Sequence, residues 1–239
     1  MKKILLCILV FVAAGYFVVM ETETGQDLFL DRLLSVMTQN QQTAPVDGID
    51  VYVCGASSPL STTGNAQSCV FIIAGDRSFV VDTGPGSPRV IRRLGLPLNN
   101  LEAVLLTHFH GDHISALGDV NFNSWVAGRG KKLTVMGPEG VDLVVNGFNQ
   151  AYSLDSSYRT RHHGWDILPL EYSVMQSKTI EAGLVFEEDG LSIRAFRVDH
   201  SPIEPAVGYR FDYKGRSVAV SGDSIVTKDY REAVDGVDL

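Results

Sequence analysis

The sequence predicts an α+β fold in which two sheets pack face to face and are covered by helices. Three observations carry this. Short runs of strand length, apolar or alternating, dominate both halves of the chain. Helical stretches are interspersed between them. The 239 residues suffice for one sizeable core, so one main domain is the default.

The chain opens with Met1-Lys2-Lys3 and runs apolar from Ile4 to Met20. Lysines before an uninterrupted apolar run read as an export signal, and this run is at the lower limit for spanning a bilayer. Ala13-Ala14-Gly15 offers small residues for cleavage, whereas Tyr16-Phe17-Val18-Val19-Met20 prolongs the apolar run. Residues 1–20 are therefore expected to be a signal peptide or an N-terminal membrane anchor. The location expected is periplasmic or extracellular, or at the membrane through residues 4–20. Residues 21–48 are expected to be a helix and linker. Asp27 to Asn40 carries Leu28, Leu30, Leu33, Leu34 and Met37 at helical spacing, and Gln39 to Gly48 is polar around Ala44-Pro45.

The main domain is expected over residues 49–239. Ile49 to Cys54 alternates like a strand and ends in the turn Gly55-Ala56-Ser57-Ser58-Pro59. Ser68 to Ala74 and Ser78 to Val81 follow as strands joined at Gly75-Asp76. Cys54 lies near the end of one expected strand and Cys69 near the start of the next, so they form either a disulfide in an oxidising compartment or two buried thiols. After Asp82-Thr83-Gly84-Pro85-Gly86 come a helix, Ser87 to Leu94, and a strand, Leu101 to Thr107. A helix over Ile114 to Ala127, a strand over Lys132 to Met136 and a helix over Val141 to Ala151 complete this half. Strands dominate again from Leu184: Leu191 to Val198, Ala206 to Tyr213 and Ser217 to Ser221. Tyr152 to Lys178 shows no clear periodicity and is expected to be a lid or binding loop. Its Arg159, Arg161, His162 and His163 are candidates to hold an anionic substrate.

The chemistry concentrates in Thr107-His108-Phe109-His110-Gly111-Asp112-His113. Imidazole nitrogen and carboxylate oxygen are the donors that zinc and similar divalent ions take. On a strand, His108 and His110 project from one side, and Gly111 lets the chain turn so that Asp112 and His113 reach the same place. His200 and Asp223 each follow a strand end and are candidates for the same site.

His108-x-His110-x-Asp112-His113 resembles the signature of the metallo-β-lactamase fold hydrolases. His200, Gly208-Tyr209-Arg210, Ser221-Gly222-Asp223-Ser224 and Gly137-Pro138-Glu139-Gly140 resemble the ribonuclease Z and arylsulfatase-like branch. The resemblance implies a four-layer αββα sandwich and two divalent ions, zinc foremost. One ion would take His108, His110 and His200; the other would take Asp112 and His113, with Asp223 bridging. Asp82 would orient a ligand by a hydrogen bond. The implied activity is hydrolysis by a hydroxide generated at the ions, with Asp112 holding or accepting its proton. A phosphate or sulfate ester is the expected substrate. The alternatives are a lactone hydrolase and a non-catalytic or degenerate metal-binding module.

Two departures shape the expectation further. The family normally adds a histidine well past the bridging aspartate, and none follows Asp223 here. A sandwich lacking its C-terminal strands and helix is expected, the alternative being completion of the site by His162 or His163. Only a short strand pair fits between His200 and Asp223, where ribonuclease Z enzymes that process tRNA carry a long arm. The net charge of −8 also argues against a general nucleic-acid binder. The expected partner is therefore a small anionic ester, with no nucleic acid and with a membrane only through residues 4–20.

Overall fold

The computed structural model describes residues 15–17, 21, 22, 24–27, 47–61 and 64–239. The chain divides into two units, Met1–Thr43 and Ala44–Leu239. In the first, residues 15–17, 21 and 24–27 are helical. The rest of the expected signal or anchor, and nearly all of the helix predicted from Asp27, lie outside the described residues. Among the described residues no helix is long and apolar enough to cross a membrane.

The second unit is built on two sheets. The first has six strands in sequence order: β1 (Ile49–Gly55), β2 (Cys69–Ala74), β3 (Arg77–Val81), β4 (Leu101–Leu105), β5 (Leu133–Gly137) and β6 (Met175–Thr179). β1, β2 and β3 pair antiparallel, whereas β3 to β6 run parallel. Parallel neighbours require crossovers. These are made by α1 (Ser87–Arg93), by α2 (Gly111–Ile114) with α3 (Leu117–Val126), and by α4 (Val141–His163).

The period of two along each strand divides the side chains between two cores. Phe71, Val80, Val104 and Val135 meet Ile91, Leu117 and Val145 of the helices. Ile72, Phe79, Val81, Ala103 and Leu105 face the opposite way, against the second sheet. Burial on both faces explains the near-continuous apolar reading of these strands. The second sheet is antiparallel, in the order β10–β9–β8–β7, from β7 (Gly183–Glu188), β8 (Leu191–Arg197), β9 (Val207–Tyr213) and β10 (Arg216–Val220). It contributes Val185, Ile193, Ala195, Tyr209 and Phe211 to the shared core. On its outer side α5 (Lys228–Ala233) rests on β8, where Tyr230 and Phe196 meet edge to face with centroids 6.1 Å apart. The layers are thus helix, sheet, sheet, helix.

Cys54 and Cys69 form a disulfide across the β1–β2 ends. The expected lid is corrected. Residues 152–163 continue α4, Leu170–Tyr172 is a 3-10 turn and Met175–Thr179 is the edge strand β6. The helix expected over Val141 to Ala151 runs on, unmarked in the sequence because its buried positions after Val145 are the polar Ser156 and Thr160, so no apolar stripe marks its second half.

Candidate metal centre

The parallel strands end on one side of the first sheet, where the loops after β3 and β4 meet. Asp82 follows β3 with a φ of 58°, a left-handed conformation that is uncommon for a residue other than glycine. It is held there by four donors. Thr107 N–H donates to Oδ1 at 2.9 Å and Thr107 Oγ1 to Oδ2 at 2.8 Å. Ser68 Oγ reaches Oδ2 at 3.4 Å, and His113 Nδ1 lies 2.7 Å from the same oxygen. A carboxylate only accepts, so His113 carries its proton on Nδ1 and turns Nε2 outward.

Four ligand-type residues follow β4. His108 precedes the turn, His110 caps α2 in extended conformation, and Asp112 and His113 lie on the helix. From the second sheet, His200 stands after β8 and Asp223 after β10. Two hydrogen bonds dock this sheet at the end of β4: Tyr209 Oη donates to the Leu106 carbonyl at 2.7 Å, and Val207 N–H donates to the Thr107 carbonyl. An isolated bridge, in which Ile225 N–H donates to the Asp199 carbonyl, ties the His200 loop to the Asp223 loop.

The result is two overlapping donor groups, His108 with His110 and His200, and His108 with His113 and Asp223, each within 4.8 Å. His110 Nδ1 lies 3.1 Å from His108 Nε2 and 3.4 Å from His200 Nε2. Nitrogens bound tetrahedrally at zinc distances would stand about 3.3 Å apart, so this donor set fits such an ion. Around the second group, His113 Nε2 is 3.4 Å from Asp223 Oδ1 and 3.6 Å from Asp112 Oδ2. The expected partition of the six residues is thus refined: His108 borders both groups, its ring 4.1 Å from that of His113. A cleft of about 570 Å³ opens over them, lined by Asp199, His200, Ser201, Gly222, Asp223, Ser224 and Ile225.

Burial, reinforced by His113, His200 and His110, pushes the His108 pKa down to about 3, so its imidazole is neutral at pH 7 and can offer a lone pair. Burial also pulls His113 down. The Asp82 hydrogen bond and the charges of Asp82, Asp223 and Asp112 outweigh this and hold it above its ordinary value.

Arg159, Arg161, His162 and His163 do not join this cluster. They lie on the last turns of α4, whose 23 residues start beside Phe109 at Gly140. At 1.5 Å per residue that end lies about 30 Å along the helix from Gly140. Arg159 there pairs with Asp155 at 2.9 Å and covers the Phe122 ring, while His162 and His163 meet edge to face. Among the described residues, neither His162 nor His163 belongs to either donor group. Thr107, Ser68 and Tyr209, by contrast, bind the site together, although Thr107 and Tyr209 stood in the sequence motifs without a role and Ser68 only as the start of a strand. Only the position of Thr107 beside His108 could have pointed to it.

A family model described as the Metallo-beta-lactamase superfamily matches residues 62–233. The chain is 34% identical over 180 residues to a ribonuclease Z of Mycolicibacterium gilvum, covering 74% of this chain and 62% of that protein. It is 33% identical over 193 residues to a ribonuclease Z of Mycobacterium bovis, covering 80% of this chain and 68% of the relative. The chain thus spans less than two thirds of the length of the first of these relatives. Among solved structures, the short form of human tRNase Z shares the fold with a TM-score of 0.59 and 19% identity, over 79% of this chain and 75% of that one. These findings correct the expected partner. Relatives named ribonuclease Z place a nucleic acid ahead of a small anionic ester. Net charge is a weak guide to the partner because it describes the whole surface, and a metal centre can outweigh it locally.

Proposed function

The chain belongs to the metallo-beta-lactamase superfamily, on its ribonuclease Z branch, and we propose on that footing that it is a zinc-dependent phosphodiesterase acting on RNA. The observation that carries the reading is the convergence of four imidazoles with Asp112 and Asp223 at the strand ends. His108, His110 and His200 would hold one ion, and His113, Asp112 and Asp223 a second. Divalent ions there would supply Lewis-acid polarisation of the phosphoryl oxygen and bring the pKa of water near neutrality.

The remaining work falls to the chain. Neutral His108 keeps a lone pair available at pH 7. Asp82 fixes the ring of His113 through Nδ1. Asp112, with 12% of its side chain exposed, is placed to hold or accept the proton of the attacking water. The hairpin of β9 and β10 occupies the whole interval between the His200 and Asp223 loops, so the reading is of cleavage at the phosphate without an added arm. Export through residues 1–20 belongs to the same reading. The Cys54–Cys69 disulfide supports it, since disulfides persist in oxidising compartments.

The test is cleavage of a short single-stranded RNA by zinc-loaded protein. Cleavage should stop with a chelator and fall by ~10²–10⁴ in Asp112→Ala. Protein that binds zinc yet leaves RNA and a model phosphodiester intact would instead be a non-catalytic member of the fold.

A further inference from the structure

We propose that Thr107 is a positioning residue that sets the tautomer of His108, relaying to it the orienting charge of Asp82. The inference deepens the metal-centre reading and concerns a residue to which that reading gives no role. Thr107 is buried, as are Asp82, His108 and His113, at about 1% exposure each. Its Oγ1 lies 2.8 Å from Asp82 Oδ2 and 3.1 Å from His108 Nδ1. A hydroxyl has one proton to donate and lone pairs to accept with. Ionised Asp82 cannot donate, so the Thr107 proton goes to Asp82 and the hydroxyl accepts from His108. The reverse arrangement would set two lone pairs against each other at 2.8 Å in a site closed to water, a costly contact. Hence His108 carries its proton on Nδ1 and leaves Nε2 as the donor atom, the nitrogen that faces His110 at 3.1 Å.

One carboxylate thereby sets two imidazoles, His113 directly and His108 through the hydroxyl. The rotamer of Thr107 is itself constrained. Gly222, at a φ of 60° and adjacent to Asp223, sits so close that a Cβ there would meet the Thr107 side chain at 2.8 Å. The backbone of Thr107 is bonded at both ends, its N–H to Asp82 and its carbonyl to Val207.

The test compares Thr107→Val, which keeps the shape and loses the hydroxyl, with Thr107→Ser, which keeps the hydroxyl. The first readout is the His108 tautomer, taken from ¹⁵N–¹H correlation spectra of the full chain without metal. Wild type and Thr107→Ser should show the proton on Nδ1, and Thr107→Val should show a shift toward Nε2. The second readout is zinc affinity against a chromogenic chelator. Thr107→Val should bind about 10–100-fold more weakly and Thr107→Ser near wild type, in line with losses typical of removing a ligand's hydrogen-bond partner. An unchanged tautomer in Thr107→Val overturns the relay, as does a Thr107→Ser variant no better than Thr107→Val, which would make the methyl contact the cause. Should the wild type bind no zinc, the metal-centre reading fails, while the metal-free tautomer still decides the relay.

Discussion

Asp82, His108 and His113 leave the ends of β3 and β4 closed off from solvent and bonded into one network. His200 and Asp223 hang from loops of the other sheet, with half of the Asp223 side chain exposed and the bridge between Asp199 and Ile225 tying the loops together. On the first side, the groups that orient the donors are also core, so removing them disturbs fold and function together. On the second side the donors can be altered with little cost to the fold. The difference lies in where water can compensate: a buried polar atom that loses its partner stays unsatisfied, whereas an exposed one is rehydrated.

The sharpest way to break this contrast is Asp82→Ala. It strands the Thr107 N–H and hydroxyl and His113 Nδ1 in a buried site, and should destabilise the metal-free protein by about 3 kcal/mol or more in urea unfolding. A loss under about 1 kcal/mol would mean that water enters and that the two sides are alike. The double change Cys54→Ala with Cys69→Ala probes the same side. It opens a loop with a sequence separation of 15 that brings Ser68 onto Asp82. Thermal unfolding should show a loss of about 3 kcal/mol.

Acid provides a third probe. His108 is held neutral in the fold, with a pKa of about 3, while in the unfolded chain it titrates near its ordinary 6.5. The unfolded state therefore gains a proton first. Stability of the metal-free protein is complete above the unfolded value and falls as pH drops below it, by up to about 1.4 kcal/mol per pH unit from this group. His113, whose pKa is raised, acts with the opposite sign. Its contribution is full below its unfolded pKa and disappears only as pH rises through the folded one, so it does not mask the acid limb. His108→Gln should flatten that limb between the unfolded value of 6.5 and the folded value of about 3. The smallest effect on stability is expected for His200→Ala, within about 0.5 kcal/mol of wild type. Zinc uptake at the three-imidazole group should nevertheless be lost by equilibrium dialysis. A large destabilisation there would show that the loop is as much core as the other side.

Much of this was legible in the chain. Strands that are apolar throughout, such as Ala103-Val104-Leu105-Leu106, announce burial on both faces, and His108 and His110 two apart announce a shared side. The long helix α4 was half hidden because Ser156 and Thr160 occupy buried positions where periodicity looks for apolar residues. Its arginines and histidines then read as a substrate clamp, although the helix carries them away from the centre. Pairing of Cys54 with Cys69 was open until the register of β1 against β2 brought their strand ends together. The expectation of a partner other than nucleic acid came from the short interval between His200 and Asp223, from export and from overall charge, the last a property of the surface and not of a site.

Local spacing by itself determined the donor cluster between His108 and His113 and the alternation that builds two cores, because both depend on neighbours in sequence and on backbone periodicity. Only the tertiary structure decided which groups set those donors. Asp82 meets Thr107 across 25 positions and His113 across 31, and Tyr209 reaches the Leu106 carbonyl across 103. Such partners are chosen when the sheets close and exclude water, for only then does an unsatisfied donor or acceptor become costly enough to select its mate.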